Sequence, residues 1–476
     1  MSDQAPAGGP GTLRAGSAAG RGLLAATILG TGMAFLDGTV VNIALRVLGA
    51  DLDATLTQLQ WVVNAYLLTL SALILVGGSL ADRLGRRRIY LVGVVGFALA
   101  SLGCGLAPTV EVLIAARLLQ GVCGALLTPG SLALIQASLH PDDRARAIGT
   151  WSGLTSIAIL AGPFVGGWLI DLASWRWIFF INLPLAAVVV ALCLRFVPES
   201  REPVGAGTRF DLPGAATSAV ALAALTYVLT EAAGLSGATV GLLTGIAVLA
   251  AIAFGVRERR TAHPLVPLSL FADRVFSTAN AMTLLVYGAL GATSFFLTLQ
   301  LQVSVGMSPL QAGLASLPIT GLLIVFSGRA GALAGRIGPR VPMSLGPLLA
   351  AAGTWLLVGV EAGTTYVSGV LPGVVLFGAG LTLLVAPLTA SVLAAAPDAH
   401  AGVASGINNA IARTGGLLAV AALPMAVGLG GADYRDPEVF TAGYAAAQMI
   451  CAVLLALGGI VSWVGLRPGR HTTQEL

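Results

Sequence analysis

Asp37 and Arg117 are the residues of this sequence whose chemistry most needs a reason, because each lies inside a long apolar run, 22–48 and 112–136 respectively. Counted from Gly22, Asp37 stands about 22 Å along a helix, and Leu48 lies about 16 Å further on. An acid at that depth of a bilayer costs about 2.5–3.5 kcal/mol on insertion scales, so it marks a proton or ligand site or a hydrogen-bonded packing position. Its helical neighbours Gly30, Ala34 and Val41 are small, which suits a cavity or close helix packing. Arg117 falls about 8 Å from the outer end of its run, within reach of Asp37 through a long side chain and a bridging water. A cation there would compete with a proton for the carboxylate; the alternative is a structural arginine on backbone carbonyls. Gln120, Gly121 and Gly124 continue the Arg117 face.

Other chemistry is missing from the sequence. It has no GxSxG, HExxH or Walker loop and no paired acids inside an apolar run, so neither an intramembrane enzyme nor an ATP-driven pump is expected, and no catalytic residue is assigned. Cys104, Cys123, Cys193 and Cys451 lie in apolar runs without CxxC spacing and read as packing residues; no metal or cofactor is expected. His140, His263, His400 and His471 fall in loops or the tail. The polar side chains within apolar runs that are candidates for a substrate cavity are Asp37, Asn42, Gln120, Asn280, Gln300, Asn409 and Arg413.

Two glycine-rich strings suggest moving parts. In GSLADRLGRRR (78–88), Gly78 and Gly85 permit a tight reversal, and Asp82 with Arg83, Arg86 and Arg87 forms a candidate cytoplasmic latch. The expectation is that Asp82 sits against a positive helix N-terminus, the one near Gly402 being a candidate. In GPFVGG, Pro163 would kink a helix while Gly162, Gly166 and Gly167 allow another backbone to approach closely.

The elements carrying these residues follow from composition. The chain has 476 residues, 56% hydrophobic and only 10% charged, with a mean hydropathy of +0.90. Soluble domains carry about 25% charged residues, so water is excluded as the solvent for most of this surface. Fourteen helical spans are predicted, at 22–48, 59–79, 89–107, 112–136, 147–170, 178–194, 212–230, 238–256, 278–304, 309–328, 341–360, 366–391, 402–429 and 441–466. The net charge is +4 and every one of the 25 basic residues is arginine. They fall in short clusters between apolar runs, which argues against nucleic-acid binding. Twenty of the 25 lie in the tails or in loops after even-numbered spans, so both termini are expected in the cytoplasm. The first span is too long for a signal-peptide core and has no A-x-A site, so it reads as a retained helix.

The string at 78–87 recurs at 331–340 with six of ten positions identical, an offset of 253 that also carries Gly162 onto Gly415. Two parallel six-span halves separated by two extra helices explain that spacing, with a substrate site expected at the midplane between the halves. The predicted fold class is an all-α polytopic membrane protein built 6+2+6. Its parts are a disordered tail (1–21), a six-helix bundle (22–197), two extra helices (212–257), a cytoplasmic linker (258–277), a second six-helix bundle (278–466) and a tail (467–476).

With these strings assembled, the sequence resembles the major facilitator superfamily, and within it the fourteen-span drug:proton antiporter family. LDGTVVNIAL (36–45) is similar to that family's first-span motif, GSLADRLGRRR to the superfamily's loop motif, RLLQG (117–121) to the fourth-span motif and GPFVGG to the antiporter motif. WRWIFFINLP (175–184), PLVPLSLF (264–271) and AGVASGINNAIARTGG (401–416) are further similarities. The resemblance implies proton coupling and substrate contact at Asp37, with Arg117 on the fourth-span arginine. Arg46 stands where the family commonly has proline and Ala158 where another glycine is frequent. Spans 2, 10 and 13 lack the extra acids of some cationic-drug exporters, which favours neutral or monocationic amphiphiles. The expected function is proton-coupled export of small amphipathic drugs or antibiotics across the cytoplasmic membrane. A dedicated exporter of an endogenous metabolite is the alternative and a proton-coupled importer a weaker one. The expected partners are a small-molecule substrate, protons and the lipid bilayer, and the expected working unit is a monomer.

Overall fold

A computed structural model describes residues 13–201, 211–261, 264–397 and 401–466. Helix dominates these residues, as it must in hydrocarbon, where each backbone N–H and C=O has to be satisfied within its own segment. In chain order the helices are α1 (Ala18–Asp51), α2 (Leu56–Leu84), α3 (Arg86–Gly105), α4 (Val110–Ser138), α5 (Pro141–Leu172), α6 (Trp177–Phe180), α7 (Asn182–Phe196), α8 (Leu212–Glu231) and α9 (Gly237–Arg260). They continue as α10 (Arg274–Val303), α11 (Pro309–Ala315), α12 (Leu317–Ile337), α13 (Arg340–Leu357), α14 (Leu371–Ala394), α15 (Ala401–Ala426) and α16 (Pro437–Gly465). Each of the fourteen intervals read from the sequence falls on helix, and 12 described helical segments are long and apolar enough to cross a membrane. α5 and α13 lie outside that set.

The chain divides into two compact units, the first resting on α1–α7 and the second on α10–α16. Residues 212–224 and 242–260 of α8 and α9 count with the first, residues 225–241 with the second. In the first unit α1 packs along α5, α7 and α4, and α3 lies against α4 and α7. In the second, α10 packs along α15 and α16, and α13 along α14 and α16. The apolar windows of α1 and α10 are 61% and 67% buried, whereas that of α9 is 6% buried, so α9 turns nearly its whole surface outward.

One expected boundary moves. Residues 1–12 of the predicted tail lie outside the described residues, but 13–21 are held rather than disordered. The Leu13 amide donates to the Ser138 carbonyl at 3.1 Å, the His140 amide donates to the Leu13 carbonyl at 2.9 Å, and α1 begins at Ala18. Ser17 explains the early start, since its hydroxyl accepts from the Gly20 amide at 3.0 Å and caps the helix. The predicted tail at 467–476 also lies outside the described residues, as do His263, His400 and His471.

Candidate functional site

Close packing sets the stage around Asp37. A side chain at Gly162 on α5 would collide with Thr39 Oγ1 on α1, and one at Gly166 would stand 2.9 Å from Val40. Glycine at these two positions lets α5 lie against the stretch of α1 that carries Asp37. Pro163 occupies the interior of α5 between them, and Gly167 is buried on the same helix.

Asp37 sits at the centre of a polar cluster assembled within the first unit from α1, α2, α3, α4 and α7. Arg117 on α4 donates through Nη1 to Asp37 Oδ2, and both side chains are 1% exposed. The contact is direct: the extended arginine closes the axial offset for which the sequence suggested a bridging water. Arg117 Nε also donates to the Val62 carbonyl at 3.0 Å, and the guanidinium lies 4.4 Å from the Tyr66 ring centroid. Gln120, one turn along α4, accepts from Arg117 at 2.6 Å through Oε1. Its Nε2 donates to Asp37 Oδ1 and to Ser101 Oγ, both at 2.8 Å. Asn182, the first residue of α7, donates to Asp37 Oδ1 at 3.3 Å and to Ser101 Oγ at 3.2 Å. Such a set compensates a buried carboxylate with one cation and two amides. Removing one partner of a buried pair like this costs about 3–5 kcal/mol.

The other candidates are distributed. Asn42, partly buried on α1, keeps an Oδ1 with no hydrogen-bond donor among the described residues. In the second unit, Asn408 donates to Asn280 Oδ1 at 3.0 Å and to Thr283 Oγ1 at 2.9 Å. Asn408, Asn409, Ser405, Tyr287 and Thr389 line a cavity of about 90 Å³. Asn409 is exposed and Arg413, one turn further along α15, is partly buried. Gln300 does not join them. It is buried near the far end of α10 and gives both amide hydrogens away, to the Val360 carbonyl at 2.7 Å and Thr441 Oγ1 at 2.9 Å, so it ties the end of its unit together instead of facing a substrate.

The string at Gly78–Arg87 differs from its expectation in two respects: Gly78 lies inside α2, so the reversal falls on Gly85 alone, and the partner of Asp82 is local. Gly85 adopts φ +111°, as its role in the reversal requires. Asp82, however, is engaged within its own turn, accepting from Arg86 Nε at 2.7 Å. The acid that caps a helix here is Glu199, whose carboxylate accepts the Arg87 and Arg88 amides of α3 at 3.1 and 3.2 Å. Arg87 also reaches the Val197 carbonyl at 3.0 Å, tying the loop to the end of α7.

Ser101, Asn182, Tyr66 and Asn408 were not among the sequence candidates. A signal for Asn182 and Asn408 was present, since each is an amide interrupting an apolar run within a quoted motif string. Ser101 and Tyr66 gave none, because a serine or tyrosine in a membrane helix is common and only the fold points them at α1 and its partners.

Comparison with known proteins yields concordant matches. A family model described as Major Facilitator Superfamily matches residues 27–420. A methylenomycin A resistance protein of Streptomyces coelicolor is 37% identical over 456 residues, 94% of this chain and 93% of its own. The multidrug resistance protein Stp of Mycobacterium tuberculosis is 38% identical over 404 residues, 84% of this chain and 74% of its own. Among solved structures, an auto-inhibited POT family peptide transporter matches with a TM-score of 0.70 over 96% of this chain and 99% of its own, at 15% identity, a likeness of fold alone.

Proposed function

The chain belongs to the major facilitator superfamily, and from that premise we propose that it is a proton-coupled antiporter exporting small amphipathic drugs or antibiotics across the cytoplasmic membrane. The observation that carries the coupling is the buried Asp37–Arg117 pair. A proton arriving on Asp37 cancels the charge that holds Arg117, and its departure restores the bond. Each protonation state therefore favours a different arrangement of α1 and α4, which is what coupling to an alternating-access cycle needs. Arg117, Gln120 and Asp37 then serve both proton and substrate, with Asn42 as a neutral hydrogen-bonding contact; the second unit, taken by itself, offers neutral hydrogen bonds from its Asn280–Asn408 group. The tight α1–α5 packing at Gly162 and Gly166 supports the antiporter reading of that string, and the loop at Gly78–Arg87 is the cytoplasmic latch.

The driving force is adequate. One net charge moving across 100 mV supplies about 2.3 kcal/mol, a gradient of about 45-fold at 1.4 kcal/mol per decade. One proton in for one neutral molecule out uses that term, whereas exchange for a monocation leaves only the pH gradient. The architecture that goes with this reading is fourteen spans arranged 6+2+6, both termini in the cytoplasm and a working monomer without a cofactor.

A second reading, a dedicated exporter of one endogenous antibiotic, is favoured by the naming of the Streptomyces coelicolor relative for resistance to a single compound. Expression in a drug-sensitive host, with a susceptibility panel spanning neutral, monocationic and dicationic antibiotics, separates the two. Protection against several unrelated neutral or monocationic compounds supports the broad reading, and protection against one scaffold supports the narrow one. Drug accumulation in cells driven by the inward proton gradient would contradict both.

A further inference from the structure

We propose that Asn182 is the switching partner of Asp37: its amide donates to the carboxylate when Asp37 is charged and turns over to accept the carboxyl O–H when Asp37 holds a proton. This rests on the reading of Asp37 as the proton site. In the structure Asp37 is ringed by donors: Arg117 on Oδ2, and Gln120 and Asn182 on Oδ1 at 2.8 and 3.3 Å. That ring suits a carboxylate. A neutral carboxyl is itself a donor and needs an acceptor within the buried cluster.

The neighbouring groups can be taken in turn. Arg117 has no acceptor. Gln120 Oε1 already receives Arg117 at 2.6 Å and the Cys104 thiol at 3.6 Å, and turning that amide over would set its NH2 against the guanidinium. Ser101 contacts both amides, and its hydroxyl proton goes to the Phe97 carbonyl at 2.8 Å. Tyr66 sends its hydroxyl proton to the Ala34 carbonyl at 3.2 Å. Among the described residues the titratable and charged groups around Asp37 are therefore Arg117 from α4, Cys104 from α3 and Tyr66 from α2, while α5 presents Gly162 and Gly166 to this stretch of α1.

Asn182 differs. The residue is fully buried and its Oδ1 has no donor among the described residues. Turning the amide over brings that oxygen to Asp37 Oδ1 and exchanges an unpartnered Oδ1 for an unpartnered Nδ2. The rest of the cluster is then nearly indifferent to the orientation, and the proton on Asp37 decides it. Ser101 accommodates the turn by rotating its hydroxyl from the Phe97 carbonyl toward the new oxygen. The proton enters from water onto Asp37 Oδ1 and leaves the same way, and only that O–H bond forms and breaks. Asn182 is thus a positioning residue that lets both protonation states be satisfied in one buried site.

The test is pH-jump infrared difference spectroscopy on the full chain in lipid, with Asp37→Asn, Asn182→Leu and Asn182→Ser beside the parent. The proposal expects a protonated-carboxyl band that Asp37→Asn removes and Asn182→Leu shifts. It also expects, in protein carrying 13C-amide asparagine, a side-chain carbonyl band that follows the same pH and disappears in Asn182→Ser. In transport, Asn182→Leu should slow turnover about tenfold with KM within about twofold, and Asn182→Ser should recover part of the rate. A carboxyl band unmoved by Asn182→Leu, with no asparagine band titrating, would overturn the switch and leave Asp37 as the proton site. Absence of any band sensitive to Asp37→Asn would overturn the proton-site reading and the switch together. If Asn182→Leu does not reach the membrane, the labelled parent protein decides alone.

Discussion

The two units are built on one plan and keep their polarity in different forms. In the first, Gly162 brings α5 against α1; in the second, Gly415, one offset of 253 later, brings α15 against α10, where an added side chain would stand 2.6 Å from the Leu284 carbonyl. The same offset carries Asp37 onto Leu290, Arg117 onto Val370 and Asp82 onto Gly335. The second unit therefore repeats the packing without the ion pair or the loop acid. In place of the charged cluster it holds the neutral Asn280–Thr283–Asn408 group beside a small cavity. Packing is what the repeat preserves, since α1–α5 and α10–α15 need the same close approach. Charge is free to differ: the first unit holds the buried Asp37–Arg117 pair, while the second carries Arg413, partly buried on α15, and no acid at positions 290 or 335. On the proposed reading, proton chemistry belongs to the first unit and neutral hydrogen bonding to the Asn280–Asn408 group.

That division can be broken at several points. Arg117→Leu should have the largest effect on stability, about 3–5 kcal/mol, because it strands a buried carboxylate. Thermal unfolding in detergent would show it, and adding Asp37→Asn should return most of the loss; a double variant as unstable as the single one would mean the two residues do not act as a pair. Gly162→Val should cost about 1–3 kcal/mol by overpacking α5 against α1 at Thr39, measured in the same assay. An unchanged melting curve would show that the close approach is not obligatory.

Asn408→Ala tests the other half. It should raise KM a few-fold for substrates bearing hydroxyl or carbonyl groups, as loss of about one hydrogen bond predicts, and leave the pH dependence of transport intact. A shifted pH profile in that variant would place proton chemistry in both units. Asp82→Asn is the mildest change. Its partner Arg86 is one turn away and the acid side chain is 37% exposed, so stability should move by about 0.3–0.5 kcal/mol or less. Turnover should fall more than substrate affinity, and a large loss of affinity at normal turnover would contradict the latch.

Much of this was legible in the sequence because a bilayer leaves few options. Apolar runs of about 20 residues must be helices, and a charge inside one must have a partner, so Asp37 and Arg117 could be singled out before any fold was known. Glycine spacing at 162–167 likewise announced a close helix contact. Side chains whose meaning depends on direction were harder to read. Gln300 and Gln120 look alike as amides in apolar runs, but α10 turns Gln300 toward Val360 and Thr441, while α4 turns Gln120 toward Asp37. Asp82 and Glu199 are both acids near helix ends, and only the loop geometry shows that Glu199 caps α3. The order at Leu13–Arg21 was hidden because it rests on long-range partners that composition does not reveal: two backbone bonds to Ser138 and His140, and bonds from Arg14 and the Ala15 amide to Asp142 and Asp143.

The central claim is that Asp37 exchanges the proton that drives export, and reconstituted Asp37→Asn protein tests it most directly. In proteoliposomes, uphill transport of a labelled antibiotic under an imposed pH gradient is compared with exchange of the same compound at equal pH on both sides. Asp37→Asn should lose gradient-driven accumulation while remaining folded and inserted, with any residual exchange independent of pH. Undiminished uphill transport by that variant would contradict it.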